Sequence, residues 1–337
     1  MRAWELRDPS GPRGLALVER PDPSPGPTDV LVRIDAVSLN YRDLLVVRGQ
    51  YSRKAPAGLV PCSDASGLVV AVGPGARHVK VGDRVTSTFA PEWKAGRFTL
   101  PAAKSALGTG ATPGVLADMV VLPDHGVLVP PAHLSAEEAS TLPCAALTAW
   151  HALMEEAPIG ADEVVLTLGT GGVSVFALQF ALRAGATVIA TTGDPAKAAR
   201  LREMGAGHVI DYRAVPAWGD AVREWTGGDG VDHVVEVGGA GTLEQSLRAV
   251  RLGGTVSLIG TLAAPAPVNL TPVFMRNIRL QGVMVGSREM FQRMNEALAD
   301  PPMRPVVDRV FGFEDAPAAF EHLASGRHFG KVVVAMK

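Results

Sequence analysis

The sequence has few cysteines, no excess of positive charge and no long apolar run. Its two cysteines, Cys62 and Cys144, are too few for a disulfide framework or a four-cysteine zinc site. The 32 basic residues face 34 acidic ones and cluster nowhere, so we expect neither a nucleic acid nor an anionic membrane as partner. Because no apolar run reaches the roughly 18 residues of a membrane span and the N-terminus lacks an apolar signal core, we expect a cytoplasmic protein.

Two kinds of pattern divide the 337 residues, which are enough for two domains. Up to about residue 130, short strand-like segments such as 30–39, 67–75 and 79–85 are separated by turns rich in glycine and proline. This part of the chain is predicted to be all-β. A helix at 315–326 and a strand at 330–336 are assigned to the same domain.

After about residue 135, strands and helices alternate. Six apolar strands are predicted at 164–168, 188–192, 208–212, 231–238, 255–260 and 278–286. Apolar strands joined by helices predict a parallel sheet covered on both faces. The predicted fold class is therefore α/β, with a doubly wound parallel sheet and a separate β-rich domain.

The turn after the first of these strands is the strongest chemical signal. A strand at 164–168 leads directly into a helix through Gly169, Thr170, Gly171, Gly172, Val173 and Ser174. The first glycine permits a tight turn, the second allows a pyrophosphate to approach the backbone, and the helix N-terminus offers free N–H groups. A small serine stands where the fingerprint has its third glycine. The turn predicts dinucleotide binding.

The next strand ends in Thr192 and Gly193, and these residues bear on the choice of cofactor. NAD-binding sites usually have an acidic residue here, which accepts from the ribose 2′-hydroxyl and repels a 2′-phosphate. A neutral strand end with Lys197 one turn into the following helix favours NADP(H). Asp194 lies close by, so NAD(H) is the alternative.

Five segments resemble the medium-chain dehydrogenase/reductase superfamily, and together they span nearly the whole chain. They are SLNYRDLLVVRGQY (38–51), SDASGLVVAVGPGARHVKVGDRV (63–85), TLPCAALTAWHAL (141–153), the GTGGVS turn and FGKVVV (329–334). The resemblance implies a GroES-like catalytic domain formed by 1–125 and 287–337, with a Rossmann domain at 126–286 inserted. The active site would lie in the cleft between them.

The same resemblance implies that zinc is absent. Asn40 stands where zinc alcohol dehydrogenases have a cysteine ligand, and Ser63-Asp64 stands where they have His-Glu. An amide and a hydroxyl bind zinc poorly. No cysteine occurs at 88–112, where those enzymes hold a second zinc. The segment is similar to the zinc-independent branch of quinone oxidoreductases and enoyl or alkenal reductases.

Without a metal, a conjugated carbonyl or a quinone is easier to reduce than a simple ketone. Hydrogen bonds stabilise the negative charge that develops on the acceptor oxygen, and a side chain supplies a proton. Four candidate catalytic residues lie in the resembling segments: Asn40, Tyr41, Tyr51 and Asp64. Asn40 could donate to the substrate or the nicotinamide ribose, or it could simply cap a turn. Tyr51 could donate a proton or merely pack. Arg42 and Asp43 are predicted to form a structural pair.

Further cofactor contacts follow from the resemblance. Thr148 matches a position near the nicotinamide or the phosphates, Tyr212 one beside the adenosine, and Lys331 one near the pyrophosphate. Gly238, Gly260 and Thr261 fall at strand ends on the carboxyl edge of the predicted sheet, where dinucleotides bind.

The leading prediction is an NADP(H)-dependent oxidoreductase that transfers hydride to a quinone or an α,β-unsaturated carbonyl without zinc. Two alternatives are an alcohol dehydrogenase acting on small alcohols or aldehydes, and a non-catalytic nucleotide-binding redox sensor. The apolar strand 278–286 would lie at a sheet edge, so we also expect a homodimer formed by pairing this strand with its copy.

Overall fold

The computed structural model describes residues 1–51, 56–110, 112–260, 262 and 266–336. The chain forms two compact units, Met1–Leu147 with Val285–Lys337, and Thr148–Met284. Among the described residues, every helix falls short of the length and hydropathy that a membrane span requires.

The first unit begins as a β-rich structure. Its strands are β1 (Arg2–Leu6), β2 (Leu15–Glu19), β3 (Asp29–Leu39), β4 (Asp64–Val72), β5 (Arg84–Ser87), β6 (Met119–Pro123) and β7 (Val127–Leu128). Three helices lie between or after them: α1 (Tyr41–Val47), α2 (Leu100–Lys104) and α3 (Ala136–Ala139); a fourth, α4 (Leu147–Trp150), begins at the last residue of this segment and continues into the second unit. The last of these is flanked by π-helical turns at Leu142–Ala146 and His151–Glu155.

The second unit contains the alternating pattern. Its elements are β8 (Val164–Leu168), α5 (Gly172–Arg183), β9 (Thr187–Thr192), α6 (Pro195–Glu203), β10 (His208–Asp211), α7 (Trp218–Trp225), β11 (Val231–Glu236), α8 (Leu243–Ala249), β12 (Val250–Leu258), α9 (Thr271–Met275) and β13 (Arg279–Gly282). The six strands form a parallel sheet in the order β10-β9-β8-β11-β12-β13. Its core contains Leu166, Ile189, Val234 and Val256. The predicted Rossmann sheet is confirmed.

The chain then returns to the first unit. The returning elements are α10 (Arg288–Ala299), β14 (Val307–Gly312), α11 (Ala316–Ala324) and β15 (Lys331–Ala335). In the main sheet, β14 pairs with β15, β15 with β3, β3 with β4 and β6, β4 with β5, and β5 with β7. The register places Val332 opposite Leu39. The C-terminal helix and strand therefore belong to the first unit, as predicted.

The structure corrects four details of the prediction. The first unit is not all-β, because α1 follows Asn40, whose backbone N–H donates to Asp43 Oδ2 at 2.8 Å and whose helix buries Leu44 and Val47. Its first segment extends to residue 147, whereas the prediction ended it at 125, before β7, which pairs with β5. The last strand of the parallel sheet covers 279–282 instead of 278–286, and the units divide before residue 285 instead of after 286.

Candidate functional site

The turn between β8 and α5 combines a tight backbone with open space. Gly169 has a φ of +72°, in the left-handed region that favours glycine. Gly171 precedes α5 with a φ of −73°, and a Cβ built on it would meet no described atom of the chain within 4 Å. The described chain therefore leaves open space at Gly171, where the sequence predicts that a pyrophosphate approaches the backbone.

The start of α5 offers the donors that such a ligand needs. Gly172, Val173 and Ser174 form its first turn, whose N–H groups and positive dipole end point back toward the turn. The buried hydroxyl of Ser174 donates to the carbonyl of Leu168 at 2.7 Å, so a small side chain ties the helix to β8. Thr170 is also buried. The structure thus brings residues 169–174 together in a cradle that fits a pyrophosphate.

Near the end of β9 lies the side chain of Arg213, a residue that the sequence analysis missed. A Cβ on Gly193 would lie 2.7 Å from Arg213 Nε and 2.9 Å from Tyr212 Cζ, so both side chains reach over this glycine. Asp194 uses its carboxylate to cap α6, accepting from Ala196 N at 2.9 Å. The sequence position of Arg213, just after β10, could have revealed it. Because β10 pairs with β9 as far as Asp211 opposite Thr192, a residue that follows β10 lies near Gly193.

A second missed residue, Glu236, organises the end of β11. It is fully buried, and its Oε1 accepts from Gly238 N at 2.7 Å, Gly239 N at 2.9 Å and the Thr242 hydroxyl at 2.6 Å. The Ser246 hydroxyl donates to Oε2. This carboxylate therefore shapes the 238–242 loop at the carboxyl edge of the sheet.

Just after β12, the backbone at Gly260 lies very close to the backbone of Val237. A Cβ on Gly260 would lie 2.1 Å from the Val237 carbonyl oxygen, so only glycine fits there. Thr261, predicted beside it, lies outside the described residues.

In the first unit, a buried polar cluster forms where β3, α1, β4 and β15 meet. Lys331 is 3% exposed and its Nζ donates to the carbonyl of Leu39 at 2.7 Å and to Oδ1 of Asn40. Asp64 is fully buried, and it accepts from the Ser63 hydroxyl at 2.6 Å and from the backbone N–H of Cys144 at 3.0 Å.

The electrostatics of this cluster follow from burial. Burial raises the pKa of Asp64 to about 6, while the charge of Lys331, the hydrogen bond from Ser63 and the nearby Asn40 amide act in the opposite direction. Burial also raises the pKa values of the Cys62 and Cys144 thiols, so both stay protonated near neutral pH.

An ion pair beside the cluster supports one of the predicted tyrosines. Arg42 Nη1 donates to Asp43 Oδ1 at 2.9 Å, and both side chains are buried, so the predicted structural pair is present. The Arg42 guanidinium carbon lies 5.0 Å from the centroid of the Tyr51 ring and 5.1 Å from that of Phe89. Cation–π attraction thus holds Tyr51, which is half-buried, at the cluster.

The remaining predicted residues are placed as follows. Tyr41 begins α1 and is 37% exposed, Thr148 is buried in α4, and Lys197 is half-buried in the first turn of α6. The roles predicted for all the site residues stay predictions. Within the described ranges, no group of three or more His, Cys, Asp and Glu side chains is arranged to hold a metal ion.

Comparison with known proteins identifies the family. Residues 26–132 match the family model described as alcohol dehydrogenase GroES-like domain, and residues 172–300 match the model described as zinc-binding dehydrogenase. A zinc-type alcohol dehydrogenase-like protein of Schizosaccharomyces pombe is 41% identical over 315 residues, which cover 91% of each chain.

Solved structures show the same relationship. An NAD-dependent alcohol dehydrogenase is 33% identical with a TM-score of 0.91, covering 100% of both chains. The 2-octenoyl-CoA carboxylase reductase CinF, in complex with NADP and 2-octenoyl-CoA, is 26% identical with a TM-score of 0.90, covering 99% of this chain and 87% of that one. A quinone oxidoreductase of Pseudomonas syringae pv. Tomato DC3000 is 26% identical with a TM-score of 0.85, covering 99% of each.

These matches cover most of the chain. They agree with the observed fold, in which the strand β8 of a parallel sheet leads into a glycine-rich turn and the first unit is rich in β-strands. The protein is an oxidoreductase that belongs to the medium-chain dehydrogenase/reductase superfamily.

Proposed function

We propose that the protein is an NADP(H)-dependent reductase that transfers hydride to an α,β-unsaturated carbonyl or a quinone without catalytic zinc. The observation that carries the proposal is the hydrogen bond from the Lys331 ammonium to the Asn40 amide oxygen. By the resemblance to the superfamily, zinc alcohol dehydrogenases have a cysteine ligand at the position of Asn40. In this chain a buried organic cation supplies positive charge beside that position.

The side chains of the cluster do not suit a zinc ion. The Asn40 oxygen accepts from an ammonium, and each Asp64 oxygen accepts a hydrogen bond. The Cys144 thiol stays protonated because burial raises its pKa, whereas zinc binds the thiolate. The charge of Lys331 would repel a divalent cation. No step of the proposed reaction therefore uses zinc.

The turn at 169–174, in contrast, fits a dinucleotide, because its open glycine face and helix N-terminus match a pyrophosphate. When bound, the cofactor supplies the hydride. The acceptor gains that hydride and one proton, giving a saturated carbonyl compound from an enone or a hydroquinone from a quinone.

The remaining work of the reaction falls to side chains of the first unit. Negative charge develops on the acceptor oxygen, where the buried Asn40 Nδ2 can donate a hydrogen bond. The proton can come from the hydroxyl of Tyr51, which Arg42 holds in place, or from Asp64, whose pKa of about 6 lies near the pH of the cell.

The end of β9 supports NADP(H) as the preferred cofactor. The side chain of Arg213 reaches over Gly193, and Lys197 lies in the first turn of α6. Arginine suits a phosphate well because its planar donors bind two oxygens at once. CinF binds NADP, whereas the NAD-dependent relative points to the other cofactor, so a direct comparison of affinities is required.

Initial-rate assays of nicotinamide oxidation test the proposed function. The purified protein is given NADPH or NADH with methyl vinyl ketone, crotonaldehyde, crotonyl-CoA, p-benzoquinone or menadione, and in the reverse direction NADP⁺ or NAD⁺ with small alcohols. We expect turnover with an enone or a quinone, faster with NADPH. Alcohol oxidation together with stoichiometric zinc would show an alcohol dehydrogenase instead, and binding without turnover would show a nucleotide sensor.

We also propose that the protein is a homodimer formed through β13. Among the described strands, β13 pairs only with β12, so its outer edge offers unpaired backbone groups. The helix α9, which precedes β13, exposes Phe274 (72%) and Met275 (71%), so an apolar surface lies close to β13 in the chain. Pairing of β13 with its copy about a two-fold axis would satisfy this edge.

Gly282 provides the test of this interface. Val283 N donates to the Leu258 carbonyl, so the N–H of the preceding residue points away from β12, because alternate residues of a strand face opposite sides. We expect light scattering to report a dimer for the wild type and a monomer for Gly282→Pro, with Gly282→Ala, which keeps the backbone N–H, as the control. A wild-type monomer at micromolar concentration would remove the proposal.

A further inference from the structure

The position of Lys331 follows from the pairing of the last strand with the third. The antiparallel register aligns Val332 with Leu39, which brings Lys331 and Asn40 side by side. Lys331 is buried, and its ammonium donates to the Leu39 carbonyl at 2.7 Å and to Asn40 Oδ1. A backbone carbonyl and an amide oxygen therefore anchor this cation in the cluster.

This contact holds the acceptor end of the Asn40 amide. An amide has an acceptor end and a donor end, and these ends are exchanged by a rotation of half a turn. An ammonium can only donate, so the acceptor Oδ1 must lie toward Lys331 and the donor Nδ2 must lie on the far side.

The far end of the amide makes no hydrogen bond of ordinary geometry. Nδ2 is buried and lacks such a partner among the described residues, although its proximity to Asp43 and Asp64 acts against the rise that burial causes in the pKa of each carboxyl. A buried donor without an acceptor is costly and rare in native proteins. Such a donor is expected where a ligand provides the acceptor.

We propose that Lys331 is a positioning residue, which acts by orienting the Asn40 amide so that Nδ2 donates to the carbonyl or quinone oxygen of the acceptor substrate. This inference rests on the proposed function. It differs from the expectation, drawn from the resemblance, that Lys331 lies near the cofactor pyrophosphate. The two roles predict different losses when Lys331 is replaced: a positioning role affects turnover, and a pyrophosphate contact affects cofactor affinity.

Amide NMR of the whole chain tests the orientation independently of activity. The sequence contains four asparagines, so selective ¹⁵N-asparagine labelling gives few side-chain signals. Asn40→Leu identifies the Asn40 pair, and Asn295, whose Nδ2 donates to the Val129 carbonyl at 3.2 Å, is the internal control. We expect Lys331→Met to shift or broaden the Asn40 signals alone, and Lys331→Arg to restore them. Unchanged Asn40 signals in Lys331→Met would overturn the proposal.

Kinetics and cofactor binding form the second test. We expect Lys331→Met to lower kcat by about tenfold or more while the Kd of NADPH, measured by fluorescence, changes by less than about twofold. The double variant Lys331→Met with Asn40→Leu should be no slower than Asn40→Leu alone. Both changes act on the same hydrogen bond, the one from Asn40 Nδ2 to the acceptor oxygen. Lys80→Met controls for the loss of one charge, and melting temperatures confirm that each variant is folded.

Two outcomes of these experiments contradict the proposal. A loss of NADPH affinity in Lys331→Met that Asn40→Leu does not share would place Lys331 on the pyrophosphate. Independent, multiplying losses in the double variant would show that Lys331 does not act through Asn40. If Lys331→Met is unfolded, Lys331→Arg must retain both kcat and the Asn40 signals. If the wild type reduces no acceptor, the proposed function fails, whereas the NMR result still decides whether Lys331 orients the amide.

Discussion

The glycine-rich turn of the second unit and the polar cluster of the first unit provide their polar groups in different ways. In the turn, the donors are backbone N–H groups at the start of α5, and the side chains at Gly169 and Gly171 are absent. In the cluster, the polar groups are the buried side chains of Lys331, Asn40 and Asp64, which come from three separate elements.

The difference shows in the two buried carboxylates. Glu236 accepts four hydrogen bonds from within its own loop and helix, so neighbours in the sequence satisfy it. Asp64 accepts from Ser63 beside it and from Cys144, which is distant in the sequence, and burial raises its pKa to about 6. A buried carboxylate whose hydrogen-bond donors all come from its own segment has a structural role. A buried carboxylate with fewer donors, brought in from distant segments, can have the shifted pKa that acid–base chemistry uses.

The largest expected effect is at the turn. Gly171→Val fills the space that a pyrophosphate needs, yet its Cβ meets no described atom, so the fold should survive. We expect the Kd of NADPH to rise by about a hundredfold or more, with little change in melting temperature. Gly160→Val is the matched control, since its Cβ also meets open space in the described chain. Unchanged affinity in Gly171→Val would mean that the phosphates bind elsewhere.

The two carboxylates should respond differently to loss of charge. Glu236→Gln replaces one acceptor oxygen with an NH₂ group that faces hydroxyl or N–H donors. We expect a loss of about 1–3 kcal/mol in the free energy of unfolding, measured by urea denaturation. Glu224→Gln, an exposed change on α7, should have almost no effect. A neutral result for Glu236→Gln would show that the 238–242 loop does not depend on this carboxylate.

Asp64 should make stability depend on pH in the opposite sense from an ordinary carboxylate. Its pKa is raised from 3.8 to about 6, so the folded state holds a proton that the unfolded chain has released, and stability falls as pH rises through this interval. The total decline should be on the order of 2–3 kcal/mol in urea midpoints converted to free energy, and Asp64→Asn should remove it.

Asp83→Asn is the control for this pH dependence. The hydrogen bond from Lys80 lowers the pKa of Asp83, so its contribution is lost as pH falls below the same interval. A wild-type profile identical to that of Asp64→Asn would contradict the raised pKa.

The smallest effect is expected at the end of β9. Arg213→Ala should weaken NADPH binding by about tenfold and leave NADH binding nearly unchanged, because only NADPH carries the 2′-phosphate. Lys197→Ala should also reduce the difference in affinity between NADPH and NADH. Arg202→Ala, an exposed position on α6, serves as the control. Equal affinity of the wild type for both cofactors would remove the argument for NADP(H).

The sequence by itself was sufficient for the parallel sheet and the turn, because both are local. The alternation of apolar strands with helices and the order Gly-Thr-Gly-Gly after β8 lie within single segments, so periodicity and glycine spacing reveal them. The helix α1 was missed although Asn40 and Asp43 have the spacing of a helix cap, since the surrounding strands and turns dominated the pattern.

Only the tertiary structure decided which residues meet. Nothing in the segments around Asn40, Asp64 and Lys331 links them, and the antiparallel registers of β3 with β4 and β15 bring them together. The contact of Arg213 with Gly193 likewise depends on the pairing of β10 with β9. Residue types and local spacing limit the chemistry a chain can perform, but hydrogen-bond partners, burial and hence pKa values arise when distant segments pack and exclude water.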